Sequence, residues 1–229
     1  AVNYEVRRIL KSGARIAIVR GNETLSAWDI TIIPDAAPEI AFADEPSTSI
    51  RQALRLSYEA SDDYGIAGIA VRIARTDTDD SMEIDLALAR TGLTEAAEAS
   101  FHDLTPHPWA GLPVFLSLSA TDDLGQTGTS ETIEMILPER IFRHPVAKAI
   151  VEQRRVLALA PSHQDRVARS LSRLSASPGA YYDDLTAFLS LRSAVWRLRN
   201  LEPSAEVLAD VIDLLWNTAL RIEDGNLSV

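Results

Sequence analysis

Leu56-Ser57-Tyr58-Glu59-Ala60-Ser61-Asp62-Asp63-Tyr64-Gly65 decides the reading of this chain, because it returns at an offset of 60 residues as Leu116-Ser117-Leu118-Ser119-Ala120-Thr121-Asp122-Asp123-Leu124-Gly125. Gly68 and Gly128 extend the match. Each copy opens with alternating apolar and polar residues, the pattern of a half-buried strand, and closes on a carboxylate-and-glycine corner suited to a turn. The interval is too long for a solenoid repeat and occurs only twice.

Outward from the two copies, the same alternation appears at Ile69, Val71 and Ile73, at Ile84, Leu86 and Leu88, and at Ile133, Met135 and Leu137. A first strand around Ile40–Phe42 and a weaker one around Ala97–Leu104 bring the count to seven in about 100 residues. That density predicts a two-sheet, immunoglobulin-like antiparallel β-sandwich over residues 36–138, without the cysteine pair of antibody domains. In such a sandwich the first copy is the second strand with its loop and the second copy is the sixth, so both corners fall at one end. Asp62, Asp63, Asp122 and Asp123 are then expected at a single pole. The chain also enters there, which brings in Asp35 from the linker Pro34-Asp35-Ala36-Ala37-Pro38.

Three readings of this acidic pole stand side by side. The aspartates can cap their own turns through backbone amides, with Gly65 and Gly125 taking positive φ. They can gather oxygens around Ca²⁺, a hard cation with 6–8 such ligands, and so stiffen the junction with an upstream β unit. They can also serve as paired carboxylates in glycan hydrolysis, although no aromatic groove for a sugar is evident. The expected cofactor is none, with Ca²⁺ as the alternative.

Residues 1–35 are β-rich at Tyr4–Leu10, Ala14–Val19 and Ala27–Ile33, with Gly21-Asn22 as a turn signal. Three strands do not close a sandwich, so this part reads as the C-terminal strands of a truncated preceding β domain. After Pro138 the period becomes helical, and residues 139–229 read as a four-helix bundle. Its apolar stripes are Val207, Leu208, Val211, Ile212, Leu215, Ala219 and Ile222; Tyr181, Leu185, Phe188, Leu189, Val195 and Trp196; and Val167, Leu171 and Leu174. A first helix is expected near Pro145–Leu159, and Ser162-His-Gln-Asp165 reads as a capping box. The fold class is therefore α+β multidomain: a β stub, a sandwich and a helical bundle.

Composition bounds the rest. The 229 residues carry 22 Lys plus Arg against 33 Asp plus Glu, for a net charge of −11, with no Cys. Disulfides, thiolate metal sites and cysteine nucleophiles are excluded. Residues 36–138 hold 5 basic and 18 acidic residues, while the segments on either side are near neutral. Such a surface argues against nucleic acid and anionic membranes as partners. No apolar run reaches the roughly 18 residues of a membrane span. With neither an initiator Met nor a signal-peptide pattern, the chain reads as a soluble fragment of a longer protein.

No G-x-S-x-G, G-x-G-x-x-G or P-loop motif occurs, and the histidines fall in turns or helix starts, so an enzyme is not expected. His102 and His107 near Asp103 read as a surface loop. In the helical part, Arg154, Arg155, Arg166, Arg169, Arg173, Arg192, Arg197 and Arg199 face only three aspartates, whereas residues 202–224 carry six acids and one arginine. Complementary packing of the last helix accounts for this pattern; the alternative is a basic face that docks a protein partner or an anionic polymer.

Five segments together carry a family resemblance: Trp28-Asp-Ile-Thr-Ile-Ile-Pro-Asp35-Ala-Ala-Pro38, the Asp-Asp-Tyr-Gly corner, Ala120-Thr-Asp-Asp-Leu-Gly-Gln-Thr-Gly128, Pro138-Glu-Arg-Ile-Phe-Arg-His-Pro145 and Leu214-Leu-Trp216-Asn-Thr-Ala-Leu-Arg-Ile-Glu-Asp-Gly225. The chain resembles, over nearly its whole length, the bacterial envelope proteins grouped as domain of unknown function 4175. The resemblance implies a periplasmic location, transmembrane helices ahead of the β region and a coiled-coil-prone tail behind, with both ends of this chain being cuts. It supplies no activity and no catalytic residue. The expected function is a non-catalytic extracytoplasmic scaffold with a protein partner in the envelope. The alternatives are a calcium-stiffened adhesion-like module and an enzyme acting on cell-wall polymer, for which Trp28, Trp109, Trp196 and Trp216 are the aromatics to inspect.

Overall fold

The computed structural model describes residues 7, 9, 10, 13–202 and 204–225. The expected strand at Tyr4–Leu10 lies for the most part outside the described residues. The chain is α+β: a mostly antiparallel β part followed by four helices.

Strands β1 (Ala14–Arg20) and β2 (Glu23–Ile30) form a separate antiparallel hairpin, with Gly21 at positive φ in the turn. The main β part contains β3 (Glu39–Thr48), β4 (Leu54–Arg75), β5 (Ser81–Leu86), β6 (Leu93–His102), β7 (Pro113–Asp122), β8 (Thr127–Thr129) and β9 (Ile133–Ile136). Every pairing among them is antiparallel. The number seven agrees with the alternation but its makeup differs. The stretches at Leu54–Ala60 and Ile69–Ile73 are one continuous strand of 22 residues, and the additional strand is the short β8.

The reason lies at Asp62–Gly65, where β4 changes partners without breaking. Its first half, through Ser61, pairs with β3 and β6, and its second half, from Ile66, pairs mainly with β5 and β7. The register shifts between Ser61 and Ile66. Gly65 makes the bend possible: its φ is +132°, and a Cβ there would lie 2.9 Å from the backbone of Gly92. Alternation then places Leu54, Leu56, Tyr58, Val71, Ile73, Leu116 and Leu118 in one core with almost no exposure.

Helices α1 (Pro145–Leu159), α2 (Gln164–Ser175), α3 (Leu185–Asn200) and α4 (Ala205–Gly225) share a second core. His144 caps α1, its Nδ1 accepting from the Val146 amide, and Asp184 caps α3 by accepting from the amides of Thr186 and Ala187 at 2.8 and 3.1 Å. The Ser162 capping box does not form. Pro161–His163 is a 3-10 turn running straight into α2, so the His163 and Gln164 amides bond back to the Ala160 and Pro161 carbonyls and leave Ser162 no cap to make. Among the described residues, no helix is long and apolar enough to cross a membrane.

The apolar stripe at the start of α3 also divides. Tyr181 and Val195 are buried and Phe188 packs against the core, but Leu185, Leu189 and Trp196 are exposed. Ala187, Leu191, Ala194 and Leu198 are the residues that turn inward with Val195.

Candidate functional site

The pole predicted from the repeat is where the linker meets the two aspartate corners. At the first, Asp62 Oδ2 accepts from the amides of Tyr64 and Gly65, at 3.1 and 2.6 Å. At the second, Asp122 Oδ1 accepts from the Gln126 amide at 2.8 Å, and Gly125 has φ +81°. The first is the expected Asx turn, whereas at the second the carboxylate reaches the amide four residues on and closes the loop around Gly125. Pairing of Ile66 with Asp122 makes the corners neighbours.

The linker closes over them. Gln126 Nε2 donates to Asp35 Oδ2 at 2.8 Å and reaches the carbonyls of Asp35 and Ala36 at 3.4 Å, while the Ala36 amide donates to Asp63 Oδ1 at 3.4 Å. Gly128 lies so close beneath the linker that a Cβ would overlap the Pro38 carbonyl oxygen. Gln126 was not singled out from the sequence as a site residue. Its signal was there, since the second motif copy continues Gly125-Gln126 where the first continues Gly65-Ile66.

Electrostatically the pole is under-compensated. Dehydration raises the Asp35 carboxyl above its ordinary range; the Gln126 hydrogen bond opposes this, and repulsion from Asp63, Asp122 and Asp62 adds to it. Asp62 and Asp122 are only 8% and 5% exposed. Asp35 Oδ1, Asp62 Oδ1 and Asp122 Oδ2 are buried without a hydrogen-bond partner among the described residues. Asp63 and Asp123 are exposed. Asp35, Asp122 and Asp123 border a cavity of about 280 Å³ with Ile33, Tyr64 and Leu124. The donor chemistry suits a hard cation, yet among the described residues no three acidic or histidine side chains are already arranged to hold a metal.

The eight arginines separate into two groups. Arg154 is buried, donating through Nε to the Ile212 carbonyl at 3.1 Å and through Nη2 to the Pro106 carbonyl, with its guanidinium 4.9 Å from the Trp216 ring centroid. Arg155 donates to the Ala110 carbonyl at 3.0 Å and pairs with Glu139 at 2.6 Å. Both therefore join α1 to the loop before β7. Arg197 pairs with Asp210 of α4 at 2.9 Å. Arg166, Arg169, Arg173, Arg192 and Arg199 are exposed and make no ion pair or hydrogen bond with other described residues.

The remaining candidates are local. Asp103 Oδ1 accepts from the amide and hydroxyl of Thr105, and His107 Nδ1 accepts from the Trp109 amide at 3.2 Å. A shallow cavity of about 870 Å³ is lined by Glu39, Glu59 and Glu95 among uncharged residues, with no aromatic side chain. Trp216 is buried, whereas Trp28 and Trp196 are exposed on separate elements, β2 and α3.

The site and fold define an α+β protein whose β and helical parts meet through the contacts of one buried and one partly exposed arginine. Residues 1–229, the whole chain, match the family described as Domain of unknown function (DUF4175), and the chain belongs to that family. No curated protein matches it. Among solved structures it is similar to a β-1,2-glucanase from Parabacteroides distasonis at 8% identity and a TM-score of 0.28. That alignment covers 84% of this chain and 36% of the glucanase chain, so the chain spans about a third of that protein's length. A likeness this remote carries no argument about activity.

Proposed function

We infer that this chain is a non-catalytic scaffold module of a membrane-anchored bacterial envelope protein, working in the periplasm to hold its parts at fixed spacing and to contact other proteins. The observation that carries the reading is that the β part is fastened at both ends by hydrogen bonds that side chains make. Gln126 and Asp63 hold the incoming linker, and Arg154 and Arg155, donating to the Pro106 and Ala110 carbonyls, hold the helices. The exchange of partners along β4 supports an immunoglobulin-like sandwich over residues 36–138, and the shared core of α1–α4 supports a bundle over 139–229. The β1–β2 hairpin, with Ile16, Ile18 and Trp28 exposed, fits the reading of residues 1–35 as part of an upstream β unit. Proximity labelling from the helical part of the intact protein in its envelope tests the reading. A recurrent set of envelope proteins is expected, with no cell-wall glycan released by the purified chain. Glycan release that Asp62→Asn with Asp122→Asn abolishes would contradict it.

A second reading, a junction stiffened by Ca²⁺, is favoured by the three buried carboxylate oxygens that lack partners. An arriving cation would draw Asp35, Asp62 and Asp122 inward and relieve their repulsion. Saturating Ca²⁺ at about 100-fold over Kd would add about 2.7 kcal/mol, a shift of several degrees in Tm. Asp35→Asn with Asp62→Asn retains an oxygen for the Gln126 side-chain amide and for the Tyr64 and Gly65 backbone amides, and should remove the shift. An identical Tm in Ca²⁺ and in chelator discards this reading.

A further inference from the structure

The exposed side of α3 has a pattern that its own fold does not use. Leu185, Leu189, Arg192, Trp196 and Arg199 follow one another at intervals of four, three, four and three residues. At 3.6 residues per turn they fall within an arc of about 80°. The inward residues Ala187, Leu191, Ala194 and Leu198 lie on the opposite side, against α2 and α4. Leu185, Leu189 and Trp196 are 66%, 56% and 57% exposed. Three large apolar side chains in one row, left in water, are the mark of a docking surface rather than of scattered surface residues.

Charge restricts what can dock. Helix α3 contains no acidic residue, and Arg192 and Arg199 on this arc make no ion pair with any described residue. On α2, Arg166, Arg169 and Arg173 are likewise exposed and make no ion pair with other described residues. The arginines of α1 and Arg197, by contrast, are satisfied within the chain. The alternating four-three spacing is that of a coiled-coil seam, which accepts a second helix along its length. Trp and Arg are also the residues that most often carry binding energy at interfaces. An anionic polymer would use the arginines but leave Leu185, Leu189 and Trp196 wet.

We propose that this face of α3 docks an amphipathic helix with apolar residues at heptad seam positions and Asp or Glu on its flanks. The proposal rests on the scaffold reading and names the class of partner that the module contacts. The probe is a labelled synthetic helix with Leu at both seam positions of each heptad and Glu on the flanks, followed by fluorescence anisotropy with the full chain. A second probe replaces every Glu by Lys. The acidic helix should bind and the basic one should not. Leu189→Ser with Trp196→Ser should weaken binding by about tenfold or more. Salt at about 0.5 M should weaken it too, because the flanking pairs are exposed. Arg192→Glu with Arg199→Glu should reverse the preference, so that the basic helix binds. All four positions are exposed, and an unchanged Tm confirms that the variants are folded.

Equal binding of both probes, or binding indifferent to Leu189→Ser with Trp196→Ser, overturns the proposal. So does heparin binding that survives those two substitutions while the acidic helix binds nowhere, since the partner is then a polyanion. Concentration-dependent dimerisation abolished by the same pair also overturns it, since the occupant is then a second copy. None of these outcomes bears on whether the two junctions of the β part are fixed, which is tested separately.

Discussion

At the Asp122 end of β7 the chain holds its linker with one glutamine among like-charged aspartates; at the Pro113 end it holds its helices with two arginines directed at carbonyl oxygens and Glu139. Both arrangements fasten a β part to a neighbour, through opposite chemistry. At the arginine end the donors of Arg154 and Arg155 meet carbonyl and carboxylate oxygens, and Arg154 also stacks on Trp216. At the aspartate end three buried oxygens have no donor among the described residues, and the local charges repel. A junction built from arginine is complete within the chain, whereas one built from carboxylates leaves room for something positive. The first should therefore dominate stability, and the second should respond to pH and ions.

The largest effect is expected at Arg154. Arg154→Ala removes hydrogen bonds to the Ile212 and Pro106 carbonyls and empties the space over Trp216, a loss of about 3 kcal/mol in urea unfolding. If the two cores then separate, the transition splits in two. A change under about 0.5 kcal/mol, as for an ordinary surface site, would remove the arginine joint from the account.

Next comes Gly128→Ala at the opposite end. Its Cβ has no space beneath the Pro38 carbonyl, so the linker must lift, at a cost of about 2 kcal/mol and with faster proteolysis around Pro34–Pro38. Gly125, at positive φ but with open space around it, should pay only the backbone penalty of about 1 kcal/mol on becoming Ala. Equal costs at the two glycines would show that the linker is not seated.

Gln126→Leu sharpens the contrast through pH. With its donor gone, Asp35 keeps its repulsion from Asp62, Asp63 and Asp122, and Tm should fall at neutral pH. Because the folded Asp35 pKa is raised, the unfolded chain loses its proton first. Stability attributable to this group therefore declines as pH rises from its ordinary value of 3.8 through the raised one. Asp35→Asn should flatten that slope, and an unchanged slope would contradict the assignment.

The smallest effect concerns the arginine end. Burial lowers the pKa of His107, with Arg154 adding repulsion, and burial also lowers that of His102. Both stay neutral in the fold when the unfolded chain begins to charge near 6.5, so stability falls as pH drops below that value. His107→Gln should remove part of the acid sensitivity between about pH 6.5 and 5, read as Tm against pH.

The β region was legible because alternation and a duplicated corner are local patterns, and the aspartate turns close within four residues of themselves. Other features depend on long-range partners. That Leu54–Ala60 and Ile69–Ile73 are one strand follows from Gly65 bending beneath Gly92, a contact invisible in either stretch alone. Ser162 looked like a cap because the motif does not disclose that Pro161 starts a 3-10 turn. On α3 periodicity reports that a face is apolar without saying whether anything covers it, so Leu185, Leu189 and Trp196 look like core and are exposed. In sequence Arg154 is one of eight alike arginines, and only its burial under Pro106 and Trp216 sets it apart.

The central claim is that the hairpin, the β part and the helices are held at fixed spacing. The chain has no cysteine, so Ser26→Cys on β2 and Arg169→Cys on α2 would carry the only two spin labels. Pulsed dipolar spectroscopy on this pair should give one narrow distance peak, which broadens when Arg154→Ala is added. A broad, featureless distribution in the parent chain would contradict the account.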